Sequence, residues 1–349
     1  MIAPNRYGRR KPTWSSLRRS VAISLAAGFS FLAFTPGGIA QNTAMSTKVI
    51  TLGTQGGPLT VGKRAQPANA VVVGDRVYLV DAGNGVARQI AAAGLDHRRV
   101  GHVFITHNHN DHNADWGTLV GLQWNTGKSS PTHVFGPLGT HSMRDGFIQY
   151  FEPNARVRLG DLKIPMSMKE MIQTHEIIKD GLVFEDDRVK VTATEVCHYH
   201  FDPASAVASG GDKAFAFRFQ TPDKVIVFSG DTGNCLKLVE FARDADILVH
   251  AVISLPLIAE SMRRFLASQP LRSTSAPPGL TLEDLMRHMR TDHTSPEDIG
   301  KLAKAARVKS VVLSHFVPGA DSDPDSVYVD GVKAHYDGPV TAAHDLQAF

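Results

Sequence analysis

Thr106-His107-Asn108-His109-Asn110-Asp111-His112 places three imidazoles and a carboxylate within one short run. Immediately before it stands Val103-Phe104-Ile105, an apolar, strand-like segment. Neutral imidazole and carboxylate are the donors that borderline cations such as zinc take. His107 and His109 alternate, so they can share one side of an extended chain. Asp111 and His112 fall on the turn that follows and can reach a second point. Donors for two points fit two metal ions.

Outward from this motif the same arrangement recurs, an apolar or β-branched run ending in a residue that can bind metal. Val77-Tyr78-Leu79-Val80 ends at Asp81-Ala82-Gly83, and an alternating run from Lys190 to Val196 leads into Cys197-His198. Val225-Ile226-Val227-Phe228 leads to Ser229-Gly230-Asp231-Thr232, Ile247-Leu248-Val249 to His250, and Val311-Val312-Leu313-Ser314 to His315. Continuous apolar runs of this kind read as strands buried in a sheet. A His or Asp after one strand is an ordinary turn residue, but repetition on this scale predicts a row of donors held along a rigid sheet edge. Helices are expected between the strands, over residues 118–123 and 139–151. A third starts at Ser295, where an N-cap serine, Pro296 at the first helical position and Asp298 precede a core stripe of Ile299, Leu302, Ala303 and Ala306. Residues 256–289 read as helical at both ends around a Pro/Ser-rich middle, either an excursion over the mouth of the site or a surface linker.

The first forty residues have the layout of a secretory signal. Arg6, Arg9, Arg10, Lys11, Arg18 and Arg19 form a basic head, an apolar stretch runs from Val21 to Phe34, and small residues end at Ala40. The apolar stretch is short for a membrane span, which needs roughly 20 residues; a retained anchor is the alternative, and Arg18-Arg19 faintly resembles a twin-arginine signal. The expected location is periplasmic or secreted. Without that leader the chain keeps 31 of its 37 Lys and Arg against 34 Asp and Glu. The mature protein, residues 41–349, is then slightly acidic, and nothing in its charge favours a nucleic-acid partner. Its length suits one large α/β domain. Cys197 and Cys235 are too few for a disulfide scaffold; a bridge between them is allowed in an exported protein, and buried free thiols fit equally well.

Taken together, these motifs resemble the metallo-β-lactamase-fold hydrolases, in the branch that contains ribonuclease Z and arylsulfatase-like enzymes. The resemblance spans nearly all of the mature chain, from Leu52-Gly53-Thr54 through Phe228-Ser229-Gly230-Asp231-Thr232 and His293-Thr294-Ser295 to Leu313-Ser314-His315. It implies an αββα four-layer sandwich with a dinuclear zinc centre on one edge, although manganese or iron also suits such donors. Carried over by position, His107, His109 and His198 would bind the first ion, Asp111, His112 and His315 the second, and Asp231 would bridge them. His200 rivals His198, which is preferred because it directly ends the alternating strand. Asp111 and His293 are the expected catalytic residues, His293 as a stabiliser or proton donor.

The expected activity is ester hydrolysis by metal-activated water, on a small substrate, with sulfate or phosphate diesters favoured. A ribonuclease Z-like reading comes second, because Ala251 stands where the ribonuclease branch carries an acid after the residue matching His250. A lactonase follows, then a non-catalytic metal-binding module. A β-lactamase is disfavoured by the carboxylate at Asp231. Residues 123–136 and 256–289 are expected to set specificity, His288 has no context that marks it as functional, and a homodimer is common in this branch.

Overall fold

The computed structural model describes residues 46–201, 204, 210–268 and 282–349. The expected signal peptide and the middle of the 256–289 excursion lie outside the described residues.

Two seven-stranded sheets form the centre of the molecule. The first is laid down in chain order by β1 (Thr47–Gly53), β2 (Ala68–Val73), β3 (Arg76–Val80), β4 (Val100–Phe104), β5 (Thr132–Gly136) and β6 (Ile172–Glu176). The second is laid down by β7 (Gly181–Glu185), β8 (Lys190–Glu195), β9 (Phe215–Gln220), β10 (Val225–Phe228), β11 (Ile247–Ile253), β12 (Val311–Val317) and β13 (Val340–Ala342). The last strand, β14 (Gln347–Ala348), returns to the first sheet and pairs antiparallel with β1. Each sheet begins with antiparallel pairs and ends with parallel ones. Parallel neighbours need crossovers, and the helices lie in them. The first sheet takes α1 (Val86–Ala92), α2 (Asn110–Asn113), α3 (Trp116–Asn125), α4 (Thr140–Asp161) and α5 (Met168–Met171). The second takes α6 (Leu236–Phe241), α7 (Leu255–Ser268), α8 (Leu282–Asp292), α9 (Pro296–Ala306) and α10 (Ser326–Lys333).

Side-chain alternation explains why these elements stack in four layers. On β9, Phe215, Phe217 and Phe219 face inward and join Tyr78, Phe104, Phe135 and Phe228 between the sheets, while Ala216 between them faces the helices on the other side. Ile90, Leu119, Trp124 and Phe151 from α1, α3 and α4 pack under Leu79 and Val103 of the first sheet. Leu238, Ile299, Ala303 and Tyr328 from α6, α9 and α10 pack on Val227, Leu248 and Leu313 of the second. The expected αββα sandwich is what forms.

Several boundaries move. α4 continues past Phe151, through Pro153, and its last turns run over a largely exposed surface. β11 and β12 run on to Ile253 and Val317, so His250 and His315 stand inside strands rather than at their ends. Ser295 caps α9, accepting from the Asp298 backbone N–H at 3.3 Å. Cys197 and Cys235 are joined in a disulfide with Cα atoms 5.5 Å apart, tying the end of β8 to the start of α6. Among the described residues no helix is long and apolar enough to cross a membrane.

Candidate metal centre

Both sheets deliver side chains to one edge. The loop after β4 carries His107 and His109, and α2, which follows it, carries Asp111 and His112; His198 follows β8, Asp231 follows β10, and His315 projects from within β12. His107, His109 and His198 set donor atoms within 4.8 Å of one another, and so do Asp111, His112 and His315. The Asp231 carboxylate stands between the two groups: Oδ2 is 4.0 Å from His107 Nε2 and 3.2 Å from His315 Nε2, and Oδ1 is 3.5 Å from His112 Nε2. His107 Nε2 and His198 Nε2 converge on His109 Nδ1 at 3.0 and 3.1 Å. His200 is not among them; its ring pairs with the Asp292 carboxylate.

The outward ring nitrogens of His107, His112 and His198 are already engaged, which fixes how those rings face the cluster. His112 Nδ1 donates to Asp81 Oδ2 at 2.8 Å, and His198 Nδ1 donates to the Asp292 carbonyl at 2.9 Å. The Thr106 hydroxyl donates to Asp81 at 3.0 Å and accepts from His107 Nδ1 at 3.0 Å. His107 and His198, both kept neutral by burial, therefore turn an unprotonated Nε2 toward the cluster, and His112 turns its Nε2 toward the Asp231 and Asp111 carboxylates. His315 gets there through a β-bulge: Ala251 pairs with Ser314 and Val252 with Phe316, leaving His315 as the extra residue with φ at 51°. Gly57 presses against the cluster from the other side, its N–H donating to Asp111 Oδ2 at 2.8 Å. A β-carbon at that position would lie 2.2 Å from Asp111 Cγ, so only glycine fits.

The electrostatics of the cluster suit cations. Burial alone would raise the Asp231 carboxyl, yet His315 and His112 hold it well below the usual carboxylate range. Burial opposes charge on His112 as well, but Asp111, Asp231 and Asp81 together lift it well above the ordinary imidazole value. Burial pushes His107 well down and His198 down to about 4, which keeps both neutral and ready to donate lone pairs. Among the described residues, His112 Nε2 and Asp231 Oδ1 are buried without a hydrogen-bond partner. Orphaned polar atoms facing one another, neutral imidazoles at His107 and His198, and carboxylates negative enough to hold a proton on His112 make a set that fits divalent metal and costs free energy without positive charge between the donors.

A cavity of ≈ 270 Å³ opens over the cluster, lined by His109, Asp111, Asp231, His315, His293 and His288 among others. His293 Nδ1 is 3.8 Å from Asp231 Oδ2, and burial pushes its pKa down to about 3. His288, which no sequence motif marks, lines this cavity. Its Nδ1 is held by Asp292, the residue whose carbonyl holds His198. His288, Asp292 and the Gly56-Gly57-Pro58 turn are the parts that sequence reasoning missed; i, i+4 spacing of His288 and Asp292 on a helix was the available signal. Residues 123–136 fall in two parts, of which the second, β5, ends with Phe135 beside Phe104 and Ile105 next to the motif. Gln123, Lys128 and Thr132 gather at the Val100 end of β4, a strand's length from the motif. His250 is buried inside β11, its Nδ1 against the Ala251 carbonyl at 2.7 Å.

Comparison with known proteins agrees with this geometry. The family model of the beta-lactamase superfamily domain matches residues 76–316. The chain is 27% identical over 303 residues to a ribonuclease Z of Mycobacterium marinum, covering 85% of this chain and 96% of the relative. A ribonuclease Z of Mycobacterium sp. (strain KMS) is 28% identical over 276 residues, covering 78% and 84%. Among solved structures, the metallo-beta-lactamase fold protein YhfI from Bacillus subtilis superposes with a TM-score of 0.59 at 17% identity, covering 87% of this chain and 98% of that one. Human tRNase Z, short form, superposes at 0.57 with 19% identity, covering 86% and 98%. At such identities the two structures speak for the fold. With the model spanning most of the chain and the donor cluster seated where the sheets meet, the protein belongs to the beta-lactamase superfamily and is a metal-dependent hydrolase of the metallo-β-lactamase fold.

Proposed function

We propose that this chain is an exported hydrolase that holds two divalent ions, zinc by donor chemistry, and cleaves a small ester, with sulfate and phosphate diesters the leading substrate classes. The observation that carries this reading is the Asp231 carboxylate, set between the His107/His109/His198 group and the Asp111/His112/His315 group. In this reading those two groups would each hold one ion, with Asp231 placed to serve both. Metal bound there would supply Lewis acidity, lowering the pKa of water from 15.7 toward ~7 and stabilising negative charge on the ester oxygen. The protein's own part is to hold, orient and exclude. Asp81, Thr106 and the Asp292 carbonyl keep the histidines in one tautomer; Asp111, fixed by the Gly57 N–H, keeps its carboxylate turned into the cavity. His293 faces the same cavity as a neutral imidazole and donates a hydrogen bond where the leaving group departs.

RNA cleavage is the second reading, favoured by the names of the mycobacterial relatives. Against it, the cavity over the cluster is lined by no Lys or Arg among the described residues, and phosphate-backbone binding rests on such cations. Zinc-loaded mature protein offered aryl sulfate, bis-aryl phosphate, lactone, cephalosporin and a tRNA precursor separates the readings: turnover of the small esters and not the RNA is expected. Asp231→Ala tests the centre itself. It should release about one of two bound metals and abolish most turnover; full metal content with unchanged rates would refute the bridging role.

A further inference from the structure

Beside the cavity over the donor cluster lies a second one, of ≈ 350 Å³. Leu59, Ile258, Met262, Met289, Val317 and Pro318 form its walls, and the only polar side chain among its described lining residues is that of Ser261. The two cavities share Gly57, Pro58 and Met289 as a common rim. Ile258, Val317, Met262 and Met289 of those walls belong to a small apolar cluster that Ile253, Leu255 and Met286 complete. This cluster is separate from the three that hold the layers together. Leu59, on the mouth of the cavity, is 72% exposed, an apolar side chain left facing solvent.

We propose that this second cavity receives an apolar arm, alkyl or aryl, of the ester whose reacting end lies over the metal donors; the proposal rests on the hydrolase reading of that site. Three features select such an occupant. The two cavities meet at Gly57, Pro58 and Met289, so one molecule can fill both. The first is walled by histidines and carboxylates and the second by carbon and sulfur, so the molecule that suits both has one polar end and one apolar end. A charged or sugar-bearing arm would lose its hydration against these walls, with the Ser261 hydroxyl the one side chain among the described lining residues to replace it. Met262 and Met289 are flexible and polarisable, which lets the walls adapt to a linear or an aromatic group.

Methyl-, butyl- and hexylphosphonate, titrated calorimetrically into the zinc-loaded protein, test the proposal. Each added methylene should tighten binding by about fourfold until the cavity is full. Leu59→Asp and Met262→Gln, both at positions with some exposure, should each flatten the dependence on chain length, with melting temperature and circular dichroism checking that the variants fold. Equal affinities along the series, or a gain that survives both substitutions, would overturn the apolar-arm site. The parent hydrolase reading fails separately. A length-dependent gain with no turnover of any matching ester leaves the pocket standing and removes the hydrolase. Turnover that ignores arm length does the reverse.

Discussion

Asp81 and His315 hold φ at 61° and 51°, in the left-handed region that costs a residue with a β-carbon about 1–2 kcal/mol. Both positions turn that strain into aim. From its turned backbone, Asp81 accepts from the Thr106 N–H at 2.8 Å and from His112 Nδ1 at 2.8 Å, so one carboxylate fixes both the motif's backbone and its last imidazole. Asp81→Asn keeps the shape and removes the charge. It should weaken metal affinity by about 10–100-fold, read by competition against a chromophoric chelator; unchanged affinity would mean that Thr106 alone orients the ring. The contrast between these residues shows what a sequence reveals. His107 to His112 are legible because their donors are contiguous in the chain. Asp81 is visible only as the end of a strand, since its partner lies 31 residues away. His315 reads as a strand end because every residue of β12 is buried, and a strand covered on both faces has no alternation for a bulge to interrupt.

At the scale of elements, the strands that hold the site are legible from their uninterrupted apolar runs, and α9 from its cap and stripe. The turn at Gly56-Gly57-Pro58 is not, because its role depends on β12 and the first motif arriving beside it. Residues 123–136, expected to set specificity, divide: β5 brings Phe135 and Gly136 beside Ile105, next to the motif, while Gln123 to Thr132 lie at the far end of the first sheet. There Lys128 joins two strand starts: its ammonium donates to the Val100 carbonyl at 2.7 Å and to the Thr132 hydroxyl. Burial pushes its pKa down to about 8 from the ordinary 10.5. Between those values the unfolded chain holds a proton that the folded chain has released, so folding stability from this group rises with pH across that window. Below pH 8 both states are charged and the fold carries the full cost of the buried cation. Relative to Lys128→Met, the wild type should gain on the order of 2 kcal/mol between pH 8 and pH 10 in urea unfolding. Parallel pH profiles for the two proteins would show that the lysine keeps its proton in the fold.

For the whole molecule, the decisive fact is that the donors come from both sheets. His107, His109, Asp111 and His112 follow β4 of the first, while His198, Asp231 and His315 belong to the second. Ions held by this set clasp the sandwich at one edge, where the buried carboxylates of Asp111 and Asp231 otherwise face each other's charge. The rest of the interface is aromatic, with Phe104 against Phe217 and Phe219 at ring separations of 5.7 and 5.2 Å. That packing is independent of metal, so chelation should loosen the edge and leave the sandwich folded. A ligand that binds only the folded state, present at 1,000 times its dissociation constant, adds about 4 kcal/mol. The melting temperature should therefore fall by several degrees when metal is stripped with EDTA and recover on adding zinc, with far-UV circular dichroism unchanged below the transition. Asp231→Ala should lose most of this zinc-dependent shift, because the carboxylate that belongs to both donor groups is gone. If the stripped protein, verified free of metal, melts where the loaded one does, the two sheets do not depend on the cluster for cohesion and the clasp is wrong.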